Sequence, residues 1–376
     1  MKVYVGMSGG VDSSVTAALL VEQGYDVTGV YMKNWSQDLP GMKCPWKEDY
    51  QDAKRVAVQL GIPFKLYDFE TEYRERVVDY MLDGYRRGIT PNPDIMCNQE
   101  VKFKLFLEAA LADGADMIAT GHYSRIIHNS ANSKSQISNT KQIPNSKFQI
   151  PNSASLHMAA NREKDQTYFL YRVTEDALKH SLMPIGDFAT KAEVRAAAEQ
   201  RGLATAGKKD SQGICFIGKV GIKDFLIHEL GEQPRGDIFD QNGVRIGEHE
   251  GAIFYTIGQR QGLGVGGGLP YYVTGKNMDK NEVYVTTDIQ DPNLWRDTLQ
   301  LTEVHWIQQP PLRGETYLVR TRYRAELIAA SFTWDAQNNR GELHLDSPVR
   351  AITPGQSAVL YQGDLVLGGG IVVGAA

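Results

Sequence analysis

Cysteine is scarce in this sequence, and so are the spacings that would make it a structural ligand. The chain has three cysteines, Cys44, Cys97 and Cys215, and no two of them form a CxxC pair. A disulfide framework needs more cysteines than this, and structural zinc sites use ligands two to four residues apart. The sequence therefore predicts neither a disulfide-stapled fold nor a structural zinc site.

Long apolar runs are also missing. No uncharged apolar stretch approaches the roughly 18 residues that a membrane-spanning helix needs. The first residues, MKVYVGMSGGVDSS, are interrupted by glycines and by Asp12 before the apolar core of a signal peptide can form. We therefore expect a cytoplasmic protein that makes no membrane contact.

The sequence has no excess of positive charge. Its 40 Lys and Arg residues stand against 45 Asp and Glu residues, a formal net charge of −5. Contact with nucleic acid would have to come from local basic patches, which excludes a wholly basic, histone-like binder. With 42% hydrophobic residues the composition is globular, and 376 residues are enough for two or three domains.

Short β-rich runs alternate with longer helical stretches as far as about Ala204. This alternation is typical of a parallel sheet with crossover helices, so we predict a doubly wound α/β domain. A capping box at Thr190 and Glu193 predicts one more helix, ending near Arg201. The predicted strands are Val3–Val5, Val27–Tyr31, Phe64–Tyr67 and Met117–Thr120, and the predicted helices are Asp12–Gln23, Tyr50–Leu60, Thr71–Arg87 and Gln99–Leu111.

The pattern changes twice. Residues 129–155 are rich in Asn, Ser, Lys and Gln, and we expect a mobile insertion there. Farther on, Asn242-Gly243 between two β-rich runs predicts a hairpin, and alternating strands from about Glu282 fit a small β-barrel or sandwich, of which we adopt the barrel. The predicted domains are an α/β domain (residues 1–207), a small mixed connector (208–283) and a β-barrel (284–376).

The segment SGGVDSS, Ser8 to Ser14, lies between the first predicted strand and the first predicted helix. Backbone N–H groups freed by the glycine turn, together with the positive end of the helix dipole, would form a cradle for a phosphate or pyrophosphate. The lysine of a GxxxxGK[ST] loop is absent, whereas Asp12 supplies a carboxylate that suits a Mg²⁺ ion bound to phosphates. The alternative is a plain tight turn with a capping serine.

Two cysteines lie in polar contexts. Cys97 directly precedes the predicted helix Gln99–Leu111, with Asn98 as the expected N-cap and Lys102 close behind. A helix N-terminus and nearby cations lower the pKa of a thiol, so we expect a reactive thiolate in a loop. Cys215 follows a glycine-containing turn in KDSQGICFIG. The alternative for both is a buried, inert thiol, which is also how we interpret Cys44; sequence spacing leaves open whether the two thiols meet.

A basic run near the C-terminus is a candidate RNA contact. We predict a strand over Val319–Arg324, in which a period of two places Arg320, Arg322 and Arg324 on one face. Arginines can follow a phosphate backbone, and Tyr323 can stack on an unpaired base. An ordinary solvated strand face is the alternative.

These motifs carry a family resemblance. SGGVDSS resembles the pyrophosphatase loop of the N-type ATP pyrophosphatases (PP-loop enzymes), which split ATP between the α- and β-phosphates. With VYMKNW, TPNPDIMCN, ATGHY, KDQTYFLY, KDSQGICFIG, TIGQRQGLGVGG, TRYRAE and TPGQSAVLY, in that order, the chain resembles the tRNA-uridine 2-sulfurtransferases, also called tRNA-specific 2-thiouridylases. The similarity covers nearly the whole chain. Residues 129–155 depart from the family pattern and contain none of these motifs.

The resemblance implies an adenine-nucleotide alpha-hydrolase-like fold and ATP-dependent 2-thiolation of the wobble uridine of tRNA, with Mg²⁺ and a protein persulfide donor. It implies catalytic roles for Asp12, Cys97 and Cys215, with the persulfide on Cys215 and Cys97 as the nucleophile that leaves a disulfide. It also implies ATP binding by Gly6, Met7, Ser8, Gly9, Gly10, Val11, Asp12, Ser13, Met32 and Gly121, a target-base pocket of Asn92, Pro93 and Asp94, and tRNA contacts from Lys164, Asp165, Gln166, Arg322 and Tyr323.

Two other functions stay open. Another adenylating enzyme with the same loop, an amidotransferase or synthetase, would not need the cysteine pair. A non-catalytic, nucleotide-dependent RNA-binding protein would bind tRNA without releasing pyrophosphate. We leave His122, in GHY, outside the catalytic set, because a lone histidine after a strand is more often hydrogen-bonded structure.

Overall fold

The computed structural model describes residues 1–39, 41, 43–129, 150–209, 221–266, 268–312 and 314–374. The strands are β1 (Lys2–Gly6), β2 (Asp26–Lys33), β3 (Phe64–Asp68), β4 (Met117–Ala119), β5 (Ser124–Asn129), β6 (Ser153–Met158), β7 (Ser181–Leu182), β8 (Gly236–Phe239), β9 (Arg245–His249), β10 (Tyr272–Asn277), β11 (Glu282–Thr286), β12 (Trp295–Trp306), β13 (Thr316–Arg320), β14 (Ile328–Asp335), β15 (Arg340–Arg350), β16 (Ser357–Gln362) and β17 (Leu365–Gly374).

The α-helices are α1 (Val11–Glu22), α2 (Trp46–Leu60), α3 (Glu70–Tyr73), α4 (Asp79–Arg86), α5 (Pro93–Met96), α6 (Phe106–Ala112), α7 (Glu175–Lys179), α8 (Lys191–Gln200) and α9 (Ile222–Leu230). Two π-helical segments continue these helices without a break: Arg74–Val78 joins α3 to α4, and Cys97–Leu105 joins α5 to α6. Short 3₁₀ turns lie at Thr167–Phe169, Pro184–Asp187, Ala252–Phe254 and Pro292–Leu294. Among the helices of the described chain, none combines the length and the apolar content needed to cross a bilayer.

The first sheet is parallel, with strand order β3-β2-β1-β4-β7. Its central strand is buried on both faces: Val3, Tyr4 and Val5 are fully buried, as in other parallel sheets covered by helices. The predicted doubly wound α/β fold is therefore confirmed. The order reverses between β1 and β4, and the crevice beyond the carboxyl ends of such a pair is where open α/β sheets bind ligands.

The predicted insertion has ordered edges. Residues 130–149 lie outside the described residues, but β5 and β6 on either side form an antiparallel hairpin in which Asn129 pairs with Ser153. The prediction that residues 153–155 belong to a mobile segment is wrong, because β6 begins at Ser153 and Ala154 is fully buried. Hydrogen bonds across the hairpin pair the backbone N–H and C=O groups of these residues, so they are ordered although the segment is polar.

The C-terminal strands form the predicted barrel. β12, β15, β14, β13, β16 and β17 are antiparallel neighbours in that order, and β12 also pairs with β17, so the six strands close. The hairpin β5–β6 continues this sheet where Leu365 pairs with His157. In sequence, a four-stranded sheet with the order β10-β11-β8-β9 lies between the parallel sheet and the barrel strands. Its β8–β9 hairpin turns at the predicted Asn242-Gly243.

Candidate nucleotide and thiol site

The loop between β1 and α1 has the geometry expected of an anion cradle, and we call it the cradle below. Met7 N–H donates to Val30 O (2.8 Å), and the Ser13 hydroxyl accepts from Ser8 N–H (3.2 Å) and donates to Gly10 O (3.2 Å). The first turn of α1 has N–H groups without a carbonyl partner inside the helix, and Gly10 at the N-cap makes no side-chain cap. These donors face the crevice end of β1 and can bind an anion without rearrangement.

Gly9 is held where only glycine fits. Its φ is +74°, and a Cβ there would overlap the carbonyl oxygen of Asp49 and lie 2.9 Å from the Asp49 Cα. Gly24 has a similar φ of +82° with nothing within 4 Å of its Cβ position.

Gly9→Ala is therefore expected to lower the free energy of unfolding by at least about 1 kcal/mol more than Gly24→Ala, since both incur the left-handed penalty and only the first adds overpacking. It should also weaken ATP binding, because the loop must move. Urea unfolding and calorimetric ATP titration of the two variants measure this. Equal behaviour of the two variants would contradict a close-packed cradle.

The other predicted ATP-binding residues lie at the same sheet edge. A Cβ on Gly121, just after β4, would lie 2.8 Å from both Asp12 C and Ser13 N, so Gly121 packs directly against the first turn of α1. Met32 Cε lies 3.0 Å from the position of a Cβ on Gly6. Three segments distant in sequence, residues 6–13, Met32 and Gly121, thus meet around one crevice.

The Asp12 carboxylate is not free in the cradle. Lys191 Nζ lies 2.7 and 2.8 Å from its two oxygens, and the Tyr123 hydroxyl donates to Oδ1 (2.9 Å). Lys191 was not among the predicted site residues: it lies 179 residues from Asp12, and its only local signal is the capping box at Thr190.

A magnesium ion fits this arrangement. Mg²⁺ in phosphate sites is usually held by one or two carboxylates plus phosphate oxygens and water, and Asp12 is a carboxylate next to the cradle. Within the described ranges no three His, Cys, Asp or Glu side chains cluster closely enough to hold a metal by themselves. The residues present therefore suit a metal that arrives with phosphates.

Cys97 lies inside a helix, not before one. α5 begins at Pro93, and Asn92 is its N-cap, with Oδ1 accepting from Ile95 N–H (3.3 Å). The predictions that Asn98 caps this helix and that Cys97 lies in a loop are wrong. Proline at the first helical position presets the helical φ and lacks the N–H that would be unpaired there, so the helix starts at Pro93 and not at Gln99.

The thiol of Cys97 is 2% exposed, and this burial raises its pKa, contrary to the predicted lowering. The Lys102 ammonium opposes the rise, whereas the Asp94 carboxylate adds to it and is itself raised in pKa by burial. Lys102 Nζ donates to Asn98 Oδ1 (3.0 Å), one helical turn back along the π-helical segment. The resting thiol is therefore protonated and lies beside a lysine that favours its thiolate.

His122 is buried beside this cluster. Its Nδ1 lies 2.8 Å from Thr120 Oγ1, and burial holds its pKa well below the usual range, with the Lys102 charge acting in the same direction. The imidazole is therefore neutral and hydrogen-bonded, as expected.

One segment, residues 164–169, connects the cradle, the Cys97 helix and the barrel. Gln166 exchanges two hydrogen bonds with the backbone of Tyr123 (both 2.9 Å), whose hydroxyl binds Asp12. Phe169 O accepts from Asn98 Nδ2 (3.2 Å), and the Phe169 ring lies 4.5 Å from that of Tyr323. Residues predicted for ATP, sulfur chemistry and tRNA are therefore linked to one another through Tyr123, Asn98 and Phe169.

The predicted arginine stripe is wrong. β13 ends at Arg320, and the chain turns after it, with Arg324 at φ +61°. Arg320 points inward and donates to the fully buried Asp165 (2.9 Å), a contact that the sequence did not reveal because the two residues are 155 positions apart. Arg322 is exposed. The Asp165 carboxylate is therefore inaccessible to RNA, and Lys164, Gln166, Arg322 and Tyr323 retain exposed surface.

Cys215 lies outside the described residues. Just before the segment that contains Cys215, Lys208 forms ion pairs with α2: its Nζ lies 2.7 Å from carboxylate oxygens of both Asp49 and Asp52. After the segment, the Phe225 ring in α9 packs against Trp35, 6.2 Å between centroids.

Comparison with known proteins gives consistent matches along the chain. Family models match residues 1–219 ("tRNA methyl transferase HUP domain"), 223–287 ("tRNA methyl transferase PRC-barrel domain") and 296–372 ("Aminomethyltransferase beta-barrel domain"). Proteins named tRNA-specific 2-thiouridylase MnmA are similar over 99% of this chain and 94% of their own: 43% identity in Bacillus subtilis and 45% in Lacticaseibacillus paracasei. A relative from Aliarcobacter butzleri, named tRNA-specific 2-thiouridylase MnmA 2, is 41% identical over 99% of this chain and 98% of its own.

Proposed function

The chain belongs to the tRNA-specific 2-thiouridylase family and is a transferase that acts in tRNA 2-thiolation, and we propose that it uses ATP to activate the wobble uridine and a cysteine persulfide to supply sulfur. The observation that carries the proposal is the set of contacts through residues 164–169, which join the anion cradle to the helix of Cys97. Activation and sulfur transfer on one base require such proximity.

In the first stage the cradle binds the phosphates of ATP. The N–H groups of the first turn of α1 and the hydroxyls of Ser8 and Ser13 donate to phosphate oxygens. Met32 and Gly121 bound the crevice where adenosine binds. The 2-oxygen of the uridine attacks the α-phosphorus, pyrophosphate leaves, and the base is adenylated. Mg²⁺, when bound, offsets the negative charge of the phosphates.

The base reaches this crevice out of its stack. A ring carbonyl within a stacked strand is inaccessible to both phosphorus and sulfur, so extrusion is required. Asn92, Pro93 and Asp94, at the start of the Cys97 helix, line the pocket for it. Lys164, Gln166, Arg322 and Tyr323 contact the surrounding tRNA, with the ring of Tyr323 available for stacking.

In the second stage the outer sulfur of a Cys215 persulfide attacks carbon 2, and AMP leaves with the oxygen. Cys97, deprotonated, then attacks the Cys215 sulfur; the sulfur–sulfur bond to the base breaks, and 2-thiouridine is released with a Cys97–Cys215 disulfide. A thiol reductant restores the pair, and a protein persulfide donor reloads Cys215. We place the reaction in the cytoplasm, where tRNA and reducing thiols are found.

The test is mass analysis of nucleosides from tRNA incubated with the protein, ATP, Mg²⁺ and a persulfide donor. We expect 2-thiouridine at the wobble position, and we expect Asp12→Ala to lose thiolation while still binding tRNA. Formation of 2-thiouridine that survives substitution of both Cys97 and Cys215 would refute the cysteine persulfide step. Binding of tRNA without pyrophosphate release would favour a non-catalytic RNA-binding protein.

A further inference from the structure

The ion pair between Lys191 and Asp12 lies at the anion cradle, and the Lys191 ammonium also lies 5.6 Å from the centre of the Tyr123 ring. Both Asp12 oxygens lie within 2.8 Å of Lys191 Nζ, and the side chains keep 31% and 16% of their surface exposed. Partly exposed ion pairs contribute little stability. Lys191 is also the first residue of α8, where the positive end of the helix dipole disfavours a cation. Helix stability therefore does not account for a lysine at this position.

The backbone that carries Lys191 is held in place at the start of α8. Thr190 Oγ1 accepts from Glu193 N–H (3.2 Å), and Glu193 Oε2 accepts from Ala189 N–H (3.0 Å), which fixes the start of α8. Val194, Ala197 and Ala198 of α8 are buried in the same apolar cluster as Val11 and Val15 of α1. The ammonium is thus carried on a flexible stem from a helix that packs against the cradle's own helix.

We propose that Lys191 is a phosphate-binding residue that moves from Asp12 to the phosphates of ATP when the nucleotide enters the cradle. A lysine ammonium has three rotatable donors and exchanges one oxyanion for another without moving its backbone. Its departure frees the Asp12 carboxylate for the cation that accompanies the phosphates. This inference rests on the proposed binding of ATP at the cradle, and it assigns Lys191 a direct contact with substrate.

The first experiment measures ATP affinity by calorimetry in EDTA, which removes any metal effect. Lys191→Met is expected to weaken ATP binding by about 10- to 100-fold, the loss of one or two hydrogen bonds between charged groups. Lys65→Met is the matched control, since Lys65 is likewise ion-paired, to Asp113, but at the amino-terminal end of the sheet. The control should bind ATP as the wild type does, and unfolding midpoints of both variants verify that they fold.

The second experiment separates contact with phosphate from mere neutralisation of Asp12. In EDTA, Asp12→Asn combined with Lys191→Met should bind ATP at least about 10-fold more weakly than Asp12→Asn alone, because only the lysine distinguishes them. Equal affinities of these two variants, or wild-type affinity of Lys191→Met, would overturn the inference. If the wild-type protein binds ATP neither in EDTA nor with Mg²⁺, the proposed function fails together with this inference; if the wild type binds ATP in EDTA and the variants do not differ from it, only the role of Lys191 fails.

Discussion

Cys97→Ser is expected to reduce 2-thiouridine formation by at least about 1,000-fold while a first round of tRNA-dependent pyrophosphate release, about one per protein, is kept, because loss of a nucleophile removes most of the rate of its own step and leaves the base attached to Cys215. Serine nearly preserves the volume of this 2%-exposed side chain, and a hydroxyl can keep the hydrogen bond to Tyr73. It cannot form a disulfide with Cys215 or release the sulfur from it. Quantifying pyrophosphate and 2-thiouridine in the same reaction separates the two stages.

Cys44→Ser is the matched control. Cys44 is a half-buried free cysteine whose thiol donates to Trp35 O (3.6 Å), and no step uses it. We expect its thiolation rate to stay within about twofold of wild type, the range of most surface substitutions. A Cys97→Ser protein that thiolates normally, or one that is folded but gives no first round of pyrophosphate release, would contradict the assignment of Cys97 to the second stage alone.

The burial of Cys97 changes how its reactivity is explained. A thiol at a helix N-terminus would be ionised in advance, whereas this thiol is protonated at rest, since burial raises its pKa and Lys102 only partly offsets the rise. Proton loss must therefore accompany its attack. A protonated thiol is also a poor target for oxidants, which suits a cysteine that must wait for the base to be activated.

Local patterns predicted the parts of the fold that depend on neighbours in sequence. The alternation of strands and helices, the capping box at Thr190 and the Asn242-Gly243 turn each act within a few residues, so their positions followed from the sequence. The start of the Cys97 helix did not, because Asn98 is the predicted N-cap, whereas Asn92, followed by Pro93 at the first helical position, caps it in the structure.

The candidate site was predictable only in its separate segments. Which side chain faces which depended on contacts across more than 150 residues. Lys191 pairs with Asp12 across 179 residues and Arg320 with Asp165 across 155, and no local pattern indicates either pairing. An arginine in a β-rich run is usually exposed to solvent. Arg320 instead points inward because it binds Asp165, which lies far away in sequence and therefore outside any local pattern.

Asp165→Asn is expected to lower the free energy of unfolding by about 3 kcal/mol, because it leaves the Arg320 guanidinium buried without its counter-charge. Asp165 is 1% exposed and accepts from Ala159 N–H (2.9 Å), Thr167 Oγ1 (2.6 Å) and Arg320 Nη1 (2.9 Å). Among the described residues Arg320 Nε has no hydrogen-bond partner, and the guanidinium, which also lies 5.6 Å from the centre of the Tyr361 ring, takes its counter-charge from Asp165. Urea unfolding followed by tryptophan fluorescence of the barrel measures the loss.

The control is Asp237→Asn, which breaks an exposed ion pair with Arg245 and should lower the free energy of unfolding by less than about 1 kcal/mol.

Measuring both the stability and the tRNA affinity of Asp165→Asn decides what Asp165 does for tRNA binding. Because its carboxylate is buried, Asp165→Asn should weaken tRNA binding only as far as it displaces the neighbouring Lys164 and Gln166, and the defect should shrink on cooling, when the variant is folded. Lys164→Ala should weaken tRNA binding without destabilising the fold. A stable Asp165→Asn protein that fails to bind tRNA would instead require the carboxylate to become exposed and contact RNA directly.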